Sequence, residues 1–415
     1  MSSKPLNVQA SASVPPADAE DEPSFPPYGG PPFLSYGFRP FFLSASLFAG
    51  LAVPIWVWLF AGSGSASFLY PPRDWHVHEM LFGFLSAVIA GFLLTAVPNW
   101  TGRAPLRGIP LLGLWLLWLA GRFCLAVPMA SPLAVAVLDA SFLIVLASLL
   151  WRELFAASAW AQTPIAIIIS FYAAANVLFH AAALRGLSGD LPERLVLALV
   201  MLLLTVIGGR ITPNLTREFL AQSDTATLPA EFSRFDVLSM ASVLIAAVIW
   251  IATPDGPVAG WAFIAAGILN LARLRRWRGW TASTEPLVLI LHIGYGWLVI
   301  SLLVLGGTVL GAGMSQANAL HTLTTGAVGA MTLAVMTRAS LGHTGRPKRA
   351  GALTIVIYLL VNLGALMRIL VPQAESPTAL THTVLQLSAA SWSGAYLLFA
   401  AAYGPLLVRR SMDEP

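Results

Sequence analysis

From Phe41 onward the chain alternates between long apolar runs and short polar joints. The runs are about 20 residues each, the length a helix needs to cross about 30 Å of hydrocarbon. They predict helices over about 41–61, 78–97, 110–127, 132–151, 163–184, 193–211, 235–253, 257–274, 286–308, 319–338, 351–370 and 379–407. The expected fold class is an all-α integral membrane protein of about twelve transmembrane helices. Residues 1–35 read differently. They hold the acidic stretch from Asp18 to Glu22 and the run PSFPPYGGPP, with little apolar content. That is the composition of a disordered tail, so one membrane domain is expected over 36–410. No apolar core follows a basic start in the tail, so no cleaved signal peptide is expected.

Composition agrees: 57% of residues are hydrophobic and 10% charged, against about 25% charged in soluble domains. The net charge of +4 is spread over short loops, so the expected partner is the lipid bilayer and no nucleic acid. With a cytoplasmic N-terminus, 18 of the 23 lysines and arginines fall on the cytoplasmic side. Only Arg73, Arg122, Arg185, Arg194 and Arg368 fall outside. This positive-inside bias places both termini in the cytoplasm. Arg273, Arg275, Arg276 and Arg278 read as topology determinants. The single cysteine, Cys124, rules out an internal disulfide or a CxxC metal site.

The chain also matches itself. His78–Arg103 and His321–Arg346 align without a gap at an offset of 243, with seven of 26 positions identical, including His78/His321 and Thr101-Gly102-Arg103/Thr344-Gly345-Arg346. A fainter copy aligns Pro213-Asn214-Leu215-Thr216 with Pro98-Asn99-Trp100-Thr101 and puts Glu193 in the place of the histidine. Prolines follow the same beat. Pro40, Pro164 and Pro286 head the first, fifth and ninth spans, Pro128, Pro254 and Pro372 close the third, seventh and eleventh, and Pro132, Pro257 and Ser376-Pro377 precede the next. Three four-helix repeats are expected, over about 36–152, 153–278 and 279–410.

Ionisable groups inside a bilayer are costly, so each is a candidate functional residue. His78 and His321 open equivalent spans on the outer side. Facing imidazoles from two helices are what a six-coordinate haem requires; the alternative is two helix-end anchors. His76, two residues from His78, points to another face and is expected in the turn before the span, with Asp74 as its N-cap. His180 lies on one stripe with Asn176 and Tyr172, and His292 has Tyr295 a turn away. Such stripes line ligand cavities or satisfy neighbouring helices. His382 is expected at the interface and His343 in a loop. The metal-ligand candidates are thus His76, His78, His180, His292 and His321. Arg122 and Asp139 lie at matched depth and suit an ion pair. Alternatively, Arg122 and Arg368 would hold haem propionates, with Arg73 and Arg185 as weaker choices. No GxxxxGK[ST], HExxH or GxSxG motif occurs, so nucleotide hydrolysis, zinc proteolysis and serine hydrolysis lack support.

Gly37-Phe38-Arg39-Pro40-Phe41-Phe42, Trp75-His76-Val77-His78-Glu79-Met80, Phe82-Gly83-Phe84, Pro98-Asn99-Trp100-Thr101-Gly102, Leu119-Ala120-Gly121-Arg122, Gly208-Gly209-Arg210 and Gly342-His343-Thr344-Gly345-Arg346 resemble NnrS proteins, in order, across 36–408. The resemblance implies a bacterial inner-membrane protein that binds haem and copper. It also implies a role in nitric oxide chemistry, denitrification and resistance to nitrosative stress, without supplying a reaction. Three arcs of four helices, with outer histidines on the second and tenth, also resemble the catalytic subunit of haem–copper oxidases and nitric oxide reductases. The sixth and seventh spans lack the histidines of an oxidase copper centre, so copper here would need His180, His292 or His76.

The expected function is a membrane haem protein, possible copper included, that handles or senses nitric oxide or a related small molecule, with a respiratory electron donor as a candidate partner. The alternative is a twelve-span secondary transporter of a small solute. A third reading is an assembly partner of a respiratory complex.

Overall fold

The computed structural model describes residues 25–26, 28–60, 69–127, 131–221, 227–372 and 378–412. It holds twelve helices long and apolar enough to cross a bilayer. They are α1 (Phe38–Phe60), α2 (Pro72–Thr101), α3 (Ile109–Ala126), α4 (Pro132–Ala157), α5 (Trp160–Leu184), α6 (Asp190–Leu220), α7 (Arg234–Ala252), α8 (Pro257–Arg276), α9 (Pro286–Val309), α10 (Gln316–Gly342), α11 (Ala352–Ile369) and α12 (Ala379–Val408). No strand occurs among the described residues. Most of the expected tail, together with Pro128, Ser376 and Pro377 of the proline pattern, lies outside them.

The helix starts follow from local chemistry. Pro132, Pro257 and Pro286 occupy the first turns of α4, α8 and α9, where a missing N–H leaves nothing unpaired. Ser131 and Thr378 cap α4 and α12 by accepting from Ala134 N and Thr381 N. Asp74 does not cap α2. That place belongs to Pro71, and Asp74 sits inside the first turn, where its charge favours the helix dipole. His76 is accordingly helical. Hydropathy marked only the apolar middle of α2, whose first turn is polar. The tail boundary also shifts. Pro32–Leu34 forms a 3-10 turn, Gly108 N–H donates to Leu34 O at 2.9 Å, and Arg107 lies 5.6 Å from the Tyr28 ring. These contacts order residues whose composition alone suggested disorder.

The first and last spans close the bundle on each other. Arg39, 1% exposed, donates to Leu407 O at 3.2 Å, Arg409 O at 2.6 Å and Ser411 Oγ at 2.8 Å, filling orphan carbonyls at the end of α12. This explains the arginine of the Gly37–Phe42 motif. Where α8 crosses α9, a Cβ on Gly306 would meet the Gly260 carbonyl at 2.7 Å; glycine lets the two backbones touch.

Burial sorts the helices. The most apolar stretch of α2 is 78% buried and that of α10 72%, against 33% for each of α3, α7 and α11. The two inner helices touch each other. Outward, Leu133, Val137, Trp261 and Leu359 are each more than 60% exposed, which suits lipid and not water. α2, α6 and α10 share a further feature, a π-helical segment at Glu79–Leu85, Leu204–Gly208 and Thr322–Val328. The first and last are again 243 residues apart. Carbonyls in these wide turns take side-chain donors: Tyr172 Oη bonds Leu81 O, Trp118 Nε1 bonds Gly83 O at 2.9 Å, and Arg273 bonds Thr205 O at 3.0 Å. In hydrocarbon such groups must find partners inside the protein.

Candidate functional site

Residues two apart on a helix face away from each other, so α2 serves two places with its two histidines. His78 turns inward, 0% exposed, to meet α3, α4 and α5. Its Nδ1 lies 3.1 Å from Glu79 Oε1, and its Nε2 lies 3.0 Å from Asn176 Oδ1 and 3.2 Å from Asp139 Oδ2. His180 Nε2 approaches the same Asp139 oxygen at 2.8 Å, and Asn176 Nδ2 donates to it at 2.9 Å. The other His180 nitrogen, Nδ1, bonds Tyr70 Oη. Arg122 donates to Glu79 Oε1 at 2.8 Å and to Asp139 Oδ1. One donor atom each from His78, Asp139 and His180 falls within 4.8 Å of the others.

Charge dictates what this pocket needs. Glu79 and Asp139 bring two negative charges and Arg122 one positive, all buried. With neutral imidazoles the group is one negative charge in excess, which a low-dielectric interior does not tolerate. His78 also faces acceptors at both ring nitrogens, while a neutral imidazole has one N–H. A proton on His78 or on one of the carboxylates, or a metal ion, balances the group. Glu79 Oε2 and Arg122 Nε are buried without a hydrogen-bond partner. Tyr70 lies between α1 and α2; burial, and after it the Glu79 charge, raise its phenol pKa well above the ordinary value, so it stays a hydroxyl.

His76, on the opposite face, points towards α1 and α10. Its ring stacks on Trp56 at 4.2 Å and lies parallel to His321, with centroids 6.4 Å apart and planes 10° apart. His321 Nδ1 bonds the Ala317 carbonyl at 2.6 Å, so Nε2 is the ring nitrogen outside that bond. Arg368 of α11 donates to Asn318 Oδ1 at 2.7 Å and lies within electrostatic reach of both rings.

The five histidines proposed as ligands thus separate into three places. His321 does not stand against His78, its sequence equivalent, but against His76; the offset aligned the helices and not the side-chain directions. His180 joins His78, on the expected stripe with Asn176. His292 is apart, bonded through Nε2 to Thr216 Oγ1 at 2.8 Å. Near it, Tyr295 joins a buried network in which Arg273 donates to Asp236 Oδ1 and Tyr295 Oη, each at 3.0 Å. Arg273, read as a topology charge, is 1% exposed. Arg122 takes the ion-pair role with Asp139 and not a propionate role, because its guanidinium is committed to two carboxylates. Arg73 pairs with Glu193 at 2.8 Å near the surface. Tyr70 and Trp56 had no place among the expected site residues, and Glu79 stood only within the Trp75–Met80 motif. Glu79 alone carried a signal, as the one acid in the apolar run 78–97.

Twelve apolar helices enclosing imidazoles at two adjoining places, one of them with two carboxylates, define a multi-pass α-helical membrane protein with polar groups in its interior. The family described as NnrS protein matches residues 32–411, and the chain belongs to that family. No curated protein sequence matches it.

Proposed function

We propose that this chain is a haem protein of the bacterial inner membrane, both termini cytoplasmic, that binds nitric oxide or a related small molecule in the response to nitrosative stress and denitrification. The observation that carries the reading is the His76–His321 pair. The two rings lie nearly parallel with centroids 6.4 Å apart, close enough that one metal group would be held by both. The Ala317 carbonyl holds His321 in one tautomer, as outer partners of metal-ligating histidines do. Trp56 stacks on His76, and Arg368, within electrostatic reach of both rings, would pair with a propionate. Haem held there would supply an iron able to bind a small apolar gas. The chain's own part would be to hold imidazoles from α2 and α10 side by side, with Trp56 stacked on His76. The positive-inside bias supports the orientation.

A copper ion on the same two imidazoles is the second reading, favoured by the same spacing, since imidazole suits copper as well as iron. Absorption spectra of the purified protein, oxidised and dithionite-reduced, with and without nitric oxide, separate the cases. A Soret band with sharp reduced α and β bands is expected, shifting with nitric oxide, and lost in His76→Ala and His321→Ala but kept in His78→Ala. A colourless preparation from haem-replete cells that holds copper selects the second reading. A colourless, copper-free one sinks both and favours a transporter.

A further inference from the structure

We propose that His78, Asp139 and His180 form a second, mononuclear site that takes a divalent first-row transition ion such as Fe2+ or Zn2+. The site is separate from the His76–His321 pair and does not rest on that pair holding haem. Three helices each supply one ligand: α2, α4 and α5. The two imidazoles turn the same atom, Nε2, onto the same carboxylate oxygen, at 3.2 and 2.8 Å. Neighbouring ligands of one ion, each bonded at about 2.0–2.2 Å, lie about 3 Å apart. Both N–O separations thus suit coordination edges as well as hydrogen bonds, and all three donor atoms lie within 4.8 Å of one another.

The outer shell points the same way. A ligating histidine usually ties its second nitrogen to a carboxylate, carbonyl or hydroxyl, which fixes its tautomer and direction. Here Glu79 does this for His78 at 3.1 Å, and Tyr70 Oη does it for His180. Arg122 and Asn176 brace Asp139. Two histidines and one carboxylate suit divalent iron, zinc or cobalt, and the set lacks the thiolate or thioether donors that select Cu(I). Three protein ligands leave at least one position open, the count of reactive sites more than of structural ones. The ion would also balance the excess negative charge of Glu79 and Asp139 against Arg122.

The competing occupant is a proton on His78 or one of the carboxylates, which balances the charge and makes the group a plain hydrogen-bonded ion-pair network. Full-length protein in mild detergent, stripped with chelator, loaded with Co2+ and desalted, discriminates by metal analysis. One retained Co2+ per chain is expected in the wild type and in His76→Ala, and near none in Asp139→Asn or His180→Gln. Tyr70→Phe, which keeps all three ligands, is expected to weaken Co2+ binding about 10- to 100-fold. Retention of less than a tenth of an equivalent by folded wild type overturns the proposal, as does equal retention in the Asp139 and His180 variants. If either ligand variant fails to fold, Tyr70→Phe decides alone, and unchanged affinity overturns the site. A haem-free preparation that still takes one Co2+ through these residues defeats the haem reading and leaves this one standing.

Discussion

Replacing Arg122 by methionine tests whether the carboxylate pocket is held by its central charge. Methionine keeps much of the apolar bulk and removes the guanidinium that bridges Glu79 and Asp139. Those carboxylates are 1% and 3% exposed, so water cannot take over. Removing one partner of a buried ion pair costs about 3–5 kcal/mol, and the two-sided bridge here puts Arg122→Met at or above the middle of that range. Pairing it with Glu79→Gln removes one of the stranded charges, and coupling of about 0.5–3 kcal/mol should return. Equilibrium unfolding of the solubilised protein by graded SDS, followed through tryptophan fluorescence, measures both variants. A single variant within about 0.5 kcal/mol of wild type, or a double variant no better than the single one, would refute the network.

Gly83→Ala is expected to destabilise by about 1–3 kcal/mol in the same unfolding assay, because its Cβ would meet the Arg122 guanidinium and lie 3.0 Å from Glu79 Oε2 and 3.2 Å from Phe48. Asp236→Ala removes both the capping box of α7 and the buried partner of Arg273; a loss of about 3–5 kcal/mol is expected, and a loss below 1 would count against that network. The raised Tyr70 pKa has a definite sign. The folded state holds the phenol proton more tightly, so its stabilisation is complete below pH of about 10 and falls as pH rises toward the raised value, by about 1.4 kcal/mol per unit. Unfolding measured from pH 9 upward should show a slope one proton shallower in Tyr70→Phe, and an unchanged slope would contradict the burial of Tyr70.

Much of the candidate chemistry was visible along the chain, though not its grouping. Each intramembrane histidine could be named because a polar group in a 20-residue apolar run stands out. The stripe of Asn176 and His180 held because both lie on one regular helix, where spacing converts directly into direction. The partnership of His78 with His321 failed at the same step. The 243-residue offset matches two stretches of sequence and their π-helical segments, but α2 carries a second histidine two positions earlier, and only the approach of α10 to one face selects His76. Tyr70 and Trp56 carried no such signal, since aromatic residues near helix ends are ordinary in membrane proteins.

Twelve spans, their order and their proline-marked starts follow from sequence alone, because a bilayer demands long apolar helices with internally satisfied backbones and little else. The bias of positive charge reads out the same way, residue by residue, with no knowledge of neighbours. Which charges become buried partners is a different kind of property. Arg39, Arg122 and Arg273 look alike in a list of basic residues, yet one closes α1 onto α12, one bridges two carboxylates and one binds a π-helical carbonyl. Those roles depend on which helix faces arrive together, and that is set by the packing of inner α2 and α10 against the helices around them.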